Sequence, residues 1–219
     1  MFLTLSCLDV LYLQTEYLIL NFSRVLNKVN IKRFPTSRIS KCYVNKNLDK
    51  NVNTLKLVYV GRLSKNKGVL DVCTLIKNYK NIQFHIYGTL CDDIRESDFN
   101  DFSNVFYHGY VENNKVQDVL INYHVFIMLS YHPGEGLSGS VIEAMMSGLP
   151  LILSDWKSLP EFISDNGFLL NLKNLDFFHD VISNYFDHTF WKMHSLNSTN
   201  LSKNYDFYTV KNIIEEDLV

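Results

Sequence analysis

The central part of the chain alternates continuously apolar runs with segments of helical periodicity. The runs Leu55–Val60 and Ile82–Tyr87 are rich in β-branched and aromatic residues and each stops at a glycine, which is typical of buried strands. Further runs of this character are Asn104–Tyr107, Val125–Leu129, Pro150–Ser154 and Gly167–Leu170. Because these strands show no polar alternation and are separated by helices, we expect a parallel sheet covered on both faces.

Helical periodicity fills the intervals between the runs. In Gly68–Tyr79, the apolar residues Val69, Val72, Leu75 and Ile76 fall on one helical face. The other predicted helices are Asn114–Tyr123, Ser140–Ser147, Leu175–Phe186 and Tyr208–Leu218. The fold class that follows is α/β, with a Rossmann-like doubly wound parallel sheet.

The N-terminal part does not belong to this alternation. It contains a predicted strand at Asp9–Gln14, a helix at Tyr17–Lys28 and a second strand at Asn30–Phe34. We therefore divide the chain into a separate segment 1–38, a polar linker 39–53, a Rossmann-like domain 54–188 and C-terminal helices 189–219.

Composition excludes several classes of protein. With 47% hydrophobic and 20% charged residues among 219, the chain has enough apolar mass for a core and is not a disordered chain. The net charge of -2 provides no basic field for a nucleic acid. Cys7, Cys42, Cys73 and Cys91 fall in no CxxC spacing, so we expect reduced thiols in a cytosolic protein.

The apolar N-terminus is shorter than the ~20 residues of a membrane-spanning helix. It contains Asp9 and Glu16 and has no basic region at its start, which argues against a signal peptide. We expect a cytoplasmic location, and a peripheral contact with the inner face of the membrane stays open.

The first candidate site is the loop between the first strand and first helix of the predicted Rossmann-like domain. Gly61 allows a sharp turn, Gly68 opens the helix, and Arg62 and Lys67 lie between them. Ligands of open α/β sheets bind at the carboxyl ends of strands, where these two cations suit a pyrophosphate. From this loop alone, a solvated basic loop is the favoured interpretation.

The second candidate site is the loop that links a later strand to its helix. Ser138 is the candidate N-cap, and Gly139 and Ser140 offer backbone amides at the helix N-terminus, which is a natural anion site. Glu135 precedes the helix and Glu143 lies on it, and a carboxylate accepts hydrogen bonds from a ribose or sugar diol. From this loop alone, solvated glutamates are an equally favoured interpretation.

Three motifs in order carry a family resemblance: GRLxxxKG from Gly61, EGxxxxxxEAMxxGxP from Glu135 and SDxxxxPE from Ser154. Together they resemble the donor-binding half of retaining GT-B glycosyltransferases, nearest to glycosyltransferase family 4 (group 1). The sequence around Glu135 looks most like that of bacterial capsule, O-antigen or exopolysaccharide enzymes. The resemblance implies the C-terminal half of a GT-B fold, with residues 1–38 as a remnant of the N-terminal acceptor domain.

The resemblance also implies residue roles. Arg62 and Lys67 would hold the donor diphosphate, Glu135 would face the donor sugar and Glu143 would hold the ribose diol. The remaining implied binding positions are Gly61, Val111, Gly136, Leu137, Ser138, Gly139 and Ser140. The implied catalytic residues are Glu135, Arg62 and Lys67, and no metal or other cofactor is expected.

The function implied by this resemblance is transfer of a sugar from a nucleotide diphosphate sugar to a glycan or lipid-linked acceptor, with retention, in bacterial surface polysaccharide synthesis. Two Rossmann domains need about 350–400 residues, so an autonomous activity stays open. One alternative is an inactive or partner-dependent nucleotide-sugar-binding subunit, or a truncated remnant, with a partner polypeptide supplying the acceptor domain. The other alternative is a GT-B-like sugar-nucleotide epimerase.

Overall fold

The computed structural model describes residues 8–26, 28–41 and 53–215. The strands in this part of the chain are β1 (Val10–Leu13), β2 (Asn30–Arg33), β3 (Leu55–Val60), β4 (Ile82–Tyr87), β5 (Val105–Tyr107), β6 (Val125–Met128), β7 (Leu151–Ser154) and β8 (Gly167–Leu170). The helices are α1 (Glu16–Ser23), α2 (Val69–Ile76), α3 (Val116–Leu120), α4 (Gly139–Met146), α5 (Phe178–Asn184), α6 (His188–Ser202) and α7 (Phe207–Glu215).

The main sheet has six strands in the order β5-β4-β3-β6-β7-β8, and all neighbouring strands are parallel. The chain winds outward in one direction from β3 and in the other from β6, so these two neighbours form the topological switch point. Ligands of open α/β sheets bind outside the carboxyl ends of the strands at such a point. The predicted α/β fold with a Rossmann-like parallel sheet is confirmed, and both candidate loops follow the two switch-point strands.

Burial on both faces explains why the central strands read as continuous apolar runs. All residues of β6 and β7 are buried, whereas β4 alternates buried with half-buried positions towards one edge of the sheet. Helix α4 is also buried, from Val141 to Met146. The loops that precede and follow these elements are therefore held by a rigid core.

Helix α6 is the element for which the sequence pattern gave no bounds. The pattern predicted C-terminal helices over 189–219 but bounded only Tyr208–Leu218, of which α7 occupies the described part. The buried residues of α6 are largely polar: Trp191, His194, Ser198 and Ser202. Its inward polar side chains have hydrogen-bond partners instead: the Ser198 hydroxyl donates to the Leu149 carbonyl at 2.7 Å, and His194 lies 3.1 Å from the Tyr185 hydroxyl.

The segment β1–α1–β2 forms a separate unit with its own two-stranded parallel sheet. Its register runs from Val10 opposite Asn30 to Leu13 opposite Arg33. The interpretation of this unit as a remnant of an acceptor domain, and the boundaries of the linker and of the C-terminal helices, stay predictions. Residues 42–52 of the predicted linker lie outside the described residues.

Glu161, the last residue of the SDxxxxPE motif, joins the N-terminal unit to the main domain. Its carboxylate accepts the backbone amides of Glu16 and Tyr17, both at 3.0 Å. These amides belong to the first turn of α1, where Thr15 caps the amide of Leu18 at 2.9 Å. Glu161 thus places a negative charge at the positive end of α1.

Two further expectations concern cysteines and the membrane. Cys73 and Cys91 are free, and burial raises the pKa of the Cys73 thiol to about 12. Cys7 and Cys42 lie outside the described residues. Within residues 8–26, 28–41 and 53–215, no helix is long and apolar enough to cross a membrane.

Candidate functional site

A cavity of about 420 Å³ lies at the carboxyl ends of β3 and β6. Most of the binding positions predicted from the sequence line this cavity: Gly61, Arg62, Lys67, Val111, Ser138, Gly139, Ser140 and Glu143. The loop after β3 and the first turn of α4 therefore face one another across a single space. The switch point of the sheet brings the two candidate loops together, as the topology requires.

Two glycines let the loops around the cavity approach at backbone distance. A Cβ on Gly88, where φ is +143°, would lie 1.7 Å from the carbonyl oxygen of Gly61. A Cβ on Gly68, where φ is +71°, would lie 2.1 Å from the carbonyl oxygen of Leu129. Only glycine fits at both places, since a side chain would meet the opposing backbone and the conformation itself is strained.

Arg62 is an exposed cation at the edge of the cavity. Its backbone is fixed, because its carbonyl oxygen accepts the hydroxyl of the buried Tyr59 at 2.8 Å. Its side chain has no ion-pair partner in the described part of the chain. The planar guanidinium is therefore available for a phosphate or another anion.

Lys67 also lines the cavity, but its ammonium is bonded to Glu135. The Lys67 Nζ lies 3.0 and 2.8 Å from the two carboxylate oxygens, and the two side chains are only 14% and 5% exposed. The Ser130 hydroxyl donates to the same carboxylate. Because an ammonium has three donors, Lys67 can keep this pair and donate one further hydrogen bond into the cavity.

The N-terminus of α4 lines the same cavity as Arg62. Ser138 occupies the N-cap position, but its side chain makes no capping hydrogen bond and its Oγ lies 3.1 Å from the Ser140 Oγ. The predicted N-cap position of Ser138 is therefore confirmed, although its side chain does not supply a capping hydrogen bond. The cavity-facing end of α4 carries the partial positive charge of unpaired amides, which favours an anion.

Three predicted site residues do not line the cavity. Glu135 is buried behind Lys67, and Leu137 packs into the hydrophobic core. Gly136 faces the N-terminal unit, since a Cβ placed on it would meet the side chain of Gln14 at 3.8 Å. Their implied roles towards a donor sugar stay predictions.

Glu143 is the buried carboxylate of the cavity, with 9% of its surface exposed. Burial raises its pKa from 4.5 to about 6, and the positive charge of Arg38 opposes part of this rise. The Arg38 Nε lies 3.6 Å from the Glu143 Oε1. At neutral pH the carboxylate is therefore mostly ionised and able to accept hydroxyl hydrogen bonds.

The sequence missed several lining residues, among them Arg38, Tyr59, Thr89 and Asn113. Thr89 follows the end of β4, so the rule that carboxyl ends of parallel strands share one edge pointed to it. No sequence pattern pointed to Arg38, which lies outside the Rossmann-like alternation.

Positive charge dominates the lining of this cavity: Arg38, Arg62 and Lys67 contribute cations, and the start of α4 adds its amides. Among the residues that the structure describes, no group of three or more His, Cys, Asp or Glu side chains is placed to hold a metal ion. The chemistry that the described residues offer is recognition of an anion, with a carboxylate beside it for hydroxyl groups.

A Rossmann-like sheet with a cationic cavity at its switch point defines an α/β domain suited to phosphorylated ligands. Residues 54–188 match the family described as Glycosyl transferases group 1. This match covers more than half of the chain, so the chain belongs to that family, and the predicted group 1 resemblance is confirmed.

Individual relatives point to polysaccharide genes. The chain is 31% identical over 158 residues to an uncharacterized 41.2 kDa protein in the cps region of Klebsiella pneumoniae, covering 70% of this chain and 42% of that protein. It is 25% identical over 165 residues to the putative teichuronic acid biosynthesis glycosyltransferase TuaC of Bacillus subtilis (strain 168), covering 75% of this chain and 41% of that protein. The chain thus spans about two fifths of the length of these curated relatives.

The fold is also found in solved structures. Sucrose-phosphate synthase from Thermosynechococcus elongatus superposes with a TM-score of 0.81 at 16% identity, over 98% of this chain and 59% of that chain. At this identity the similarity shows the fold and nothing more.

Proposed function

We propose that this chain provides the donor-binding part of a glycosyltransferase. It transfers a sugar from a nucleotide diphosphate sugar to a glycan or lipid-linked acceptor, with retention, in the synthesis of a bacterial surface polysaccharide. The observation that carries this proposal is the cavity at the switch point, which is lined by Arg62, by the N-terminus of α4 and by Glu143 four residues along that helix, with no ion pair of Arg62 among the described residues. Membership of the group 1 family supports it.

In this proposal each side of the cavity takes one part of the donor. Arg62, the free donor of Lys67 and the amides at the start of α4 bind the diphosphate, and Glu143 accepts the ribose hydroxyls. Negative charge grows on the leaving diphosphate in the transition state, and preorganised cations and amides stabilise such charge. The same proposal includes a cytoplasmic location and no requirement for a metal ion.

Glu135 takes the sugar side of the donor in this proposal. Its carboxylate lies next to the cavity but is held by Lys67 and Ser130. Lys67 keeps this pair when its third donor binds the diphosphate, and Lys67 and Ser130 occupy three of the roughly four acceptor sites of the carboxylate, so one remains for a sugar hydroxyl. We therefore give Glu135 a part in binding and orienting the sugar.

A second candidate is a nucleotide-sugar-binding subunit that needs a partner polypeptide for transfer. The observation that favours it is that the chain spans only about two fifths of its curated relatives. The two candidates share the donor site and differ in whether the chain alone transfers sugar. A transfer assay with and without a co-expressed acceptor-domain protein separates them.

Calorimetric titration with UDP, GDP and ADP tests the donor site directly. We expect one of these nucleotides to bind in the presence of EDTA and Arg62→Ala to weaken binding about tenfold or more, since a hydrogen bond to a charged group contributes about 1.5–3 kcal/mol. Lys65→Ala is the matched control, because Lys65 is an exposed cation of the same loop that does not line the cavity.

Sugar nucleotides extend this titration to Glu135. Because Glu135 also holds Lys67, we expect Glu135→Gln to weaken binding of the matching sugar nucleotide by a larger factor than binding of the bare nucleotide. If no nucleoside diphosphate binds at millimolar concentration, or if Arg62→Ala behaves like Lys65→Ala, the proposed donor site is wrong.

A further inference from the structure

Arg38 covers the first turn of α4 on the side of the cavity. Its Nη2 lies 1.8 Å from the position that a Cβ on Gly139 would take, and its Nε lies 3.6 Å from the Glu143 Oε1. Gly139 and Glu143 are four residues apart and so share one face of the helix. The guanidinium therefore spans this face from the start of the helix to the buried carboxylate.

The backbone of Arg38 is fixed by the C-terminal part of the chain. Its amide donates to the Tyr205 carbonyl at 3.0 Å, and its carbonyl accepts the Phe207 amide at 2.9 Å. The Nη1 donates to the Ser37 carbonyl at 2.9 Å. These hydrogen bonds fix the backbone of Arg38 against the start of α7. Its side chain therefore extends to the cavity from a fixed Cα position.

A cation beside the N-terminus of α4 needs a nearby anion to balance its charge. The N-terminus of a helix is positive, so a guanidinium beside Gly139 is unfavourable by itself. The nearby anion that balances it is the Glu143 carboxylate, which is buried and would otherwise be ionised without a partner. Each group therefore stabilises the charge of the other, although the side chain of Arg38 is 39% exposed.

The other cations around Glu143 have different partners or positions. Lys67, in the same cavity, is bonded to Glu135 at 2.8 Å. Lys41 lines the adjoining cavity, of about 630 Å³, which Glu143 also borders, and it is paired with Asp118 of α3 at 2.8 Å. Arg62 lines the donor cavity but forms no ion pair with Glu143 in the described part of the chain.

Two helices pack against α4, and the charged group on α3, Asp118, is paired with Lys41 at 2.8 Å. Helix α6 packs against α4, and its buried His194 lies within hydrogen-bond distance of the Tyr185 hydroxyl, at 3.1 Å. Tyr59 also lines the donor cavity, and burial raises the pKa of its hydroxyl, so it is neutral at physiological pH. Among the residues that the structure describes, Arg38 is the charged group that lowers the pKa of the Glu143 carboxyl, against the rise caused by burial.

We infer that Arg38 is a positioning residue for Glu143, holding its carboxylate ionised and oriented for the hydroxyls of a nucleotide ribose. This inference rests on the proposed function, and it assigns the segment after β2 and the C-terminal segment a part in nucleotide binding. Burial already brings the pKa of Glu143 to about 6 with Arg38 in place. Removal of an opposite charge at this distance raises a carboxyl pKa further, here by about one to two pH units.

The test measures nucleoside diphosphate affinity at pH 6.5 and pH 8.5. We compare the full chain with Arg38→Ala, Arg38→Lys and the control Lys41→Ala, a cation of the same segment. The ratio of wild-type to Arg38→Ala affinity is expected to be about 3 to 20 times larger at pH 6.5 than at pH 8.5, because protonated Glu143 no longer accepts from the ribose. Arg38→Lys keeps the charge and restores part of the loss, and Lys41→Ala shows no change with pH.

A double-mutant cycle separates positioning from a general electrostatic effect. In the Glu143→Gln background, Arg38→Ala is expected to produce no further dependence on pH, since the titrating group is absent. A loss of affinity that is equal at both pH values would overturn the inference, because it would mean that Arg38 acts on the ligand or the fold and not through Glu143.

A measurement without ligand keeps this inference separate from the proposed function. Carbon NMR of labelled glutamate, assigned with Glu143→Gln, follows the titration of the Glu143 carboxyl in the free protein. We expect Arg38→Ala to raise its midpoint by about one to two pH units. An unchanged midpoint overturns the role of Arg38, whereas a raised midpoint in a protein that binds no nucleoside diphosphate removes only the proposed function.

Discussion

Glu143→Gln is expected to stabilise the protein at neutral pH while it weakens nucleotide binding. The carboxyl is buried, and its pKa in the folded chain is raised from 4.5 to about 6. Glutamine has nearly the same shape and stays neutral, so it imitates the protonated glutamic acid. A residue that lowers the stability of the fold is expected at a binding site, where function and stability compete.

The sign and size of the effect follow from proton linkage. Because the folded pKa is higher than the unfolded one, the folded state binds more protons between pH 4.5 and about 6, and the free energy of unfolding falls as pH rises through this range. Above it the destabilisation is complete and amounts to about 2 kcal/mol, at ~1.4 kcal/mol for each pKa unit. Below pH 4.5 both states are protonated and the effect disappears.

Urea and thermal denaturation of the two proteins at pH 7.5 and pH 4 measure this effect. At pH 7.5 we expect the variant to gain about 2 kcal/mol in the free energy of unfolding, or about 4–8 °C in Tm for a chain of this size. At pH 4 the two proteins are expected to differ by only a few tenths of a kcal/mol. Glu112→Gln is the control, because Glu112 is exposed and paired with Lys115 at the surface.

Two results would refute this reasoning. A variant that is less stable at pH 7.5 would mean that the ion pair with Arg38 contributes more than burial removes. Equal stability at both pH values would mean that the Glu143 carboxyl is solvated in the folded protein. Either result would also weaken the argument that Arg38 is needed to keep this carboxylate ionised.

Two further variants test how the loops and the N-terminal unit are held. Gly68→Ala is expected to lower the free energy of unfolding by at least about 2–3 kcal/mol in urea titrations, because its Cβ would meet a backbone carbonyl. Gly109 has a similar φ, but a Cβ placed on it would have nothing within 4 Å. Gly109→Ala is therefore expected to lower the free energy of unfolding by only about 1 kcal/mol. Glu161→Ala is expected to speed proteolysis within residues 8–34 and hydrogen exchange at Glu16 and Tyr17, with nucleotide affinity unchanged. Equal losses for the two glycine variants, or unchanged exchange at those amides, would contradict the contacts described for them.

The local elements of the main domain were predictable because each has a strong local cause. Continuous apolar runs ending at glycine predicted the buried strands, and the bounds of β3, β4 and β8 agree with the prediction. The bounds of helix α6 were not predicted because its inward positions include serine and histidine, whose burial is made possible by hydrogen bonds to the Leu149 carbonyl and the Tyr185 hydroxyl. No pattern along the chain reveals such partners in advance.

The sequence by itself determined the α/β class, the family and the two loops that form the cavity. These depend on apolar periodicity and on residues that lie close together along the chain, such as Gly61 with Arg62 and Ser138 with Glu143. Both loops also follow strands, and the carboxyl ends of parallel strands meet at one edge. Local order along the chain is therefore enough to bring these residues to one site.

Only the tertiary structure decided the ionic state and the partners within the site. Lys67 is paired with Glu135, and Arg38 reaches Glu143 from a segment outside the Rossmann-like domain, across more than a hundred positions of sequence. The pKa of Glu143 depends on how much solvent the packing of α4 removes and on which cation the fold places beside it. Both the loss of solvent and the distance to the cation are set by the folded structure, and the order of residues along the chain does not give them.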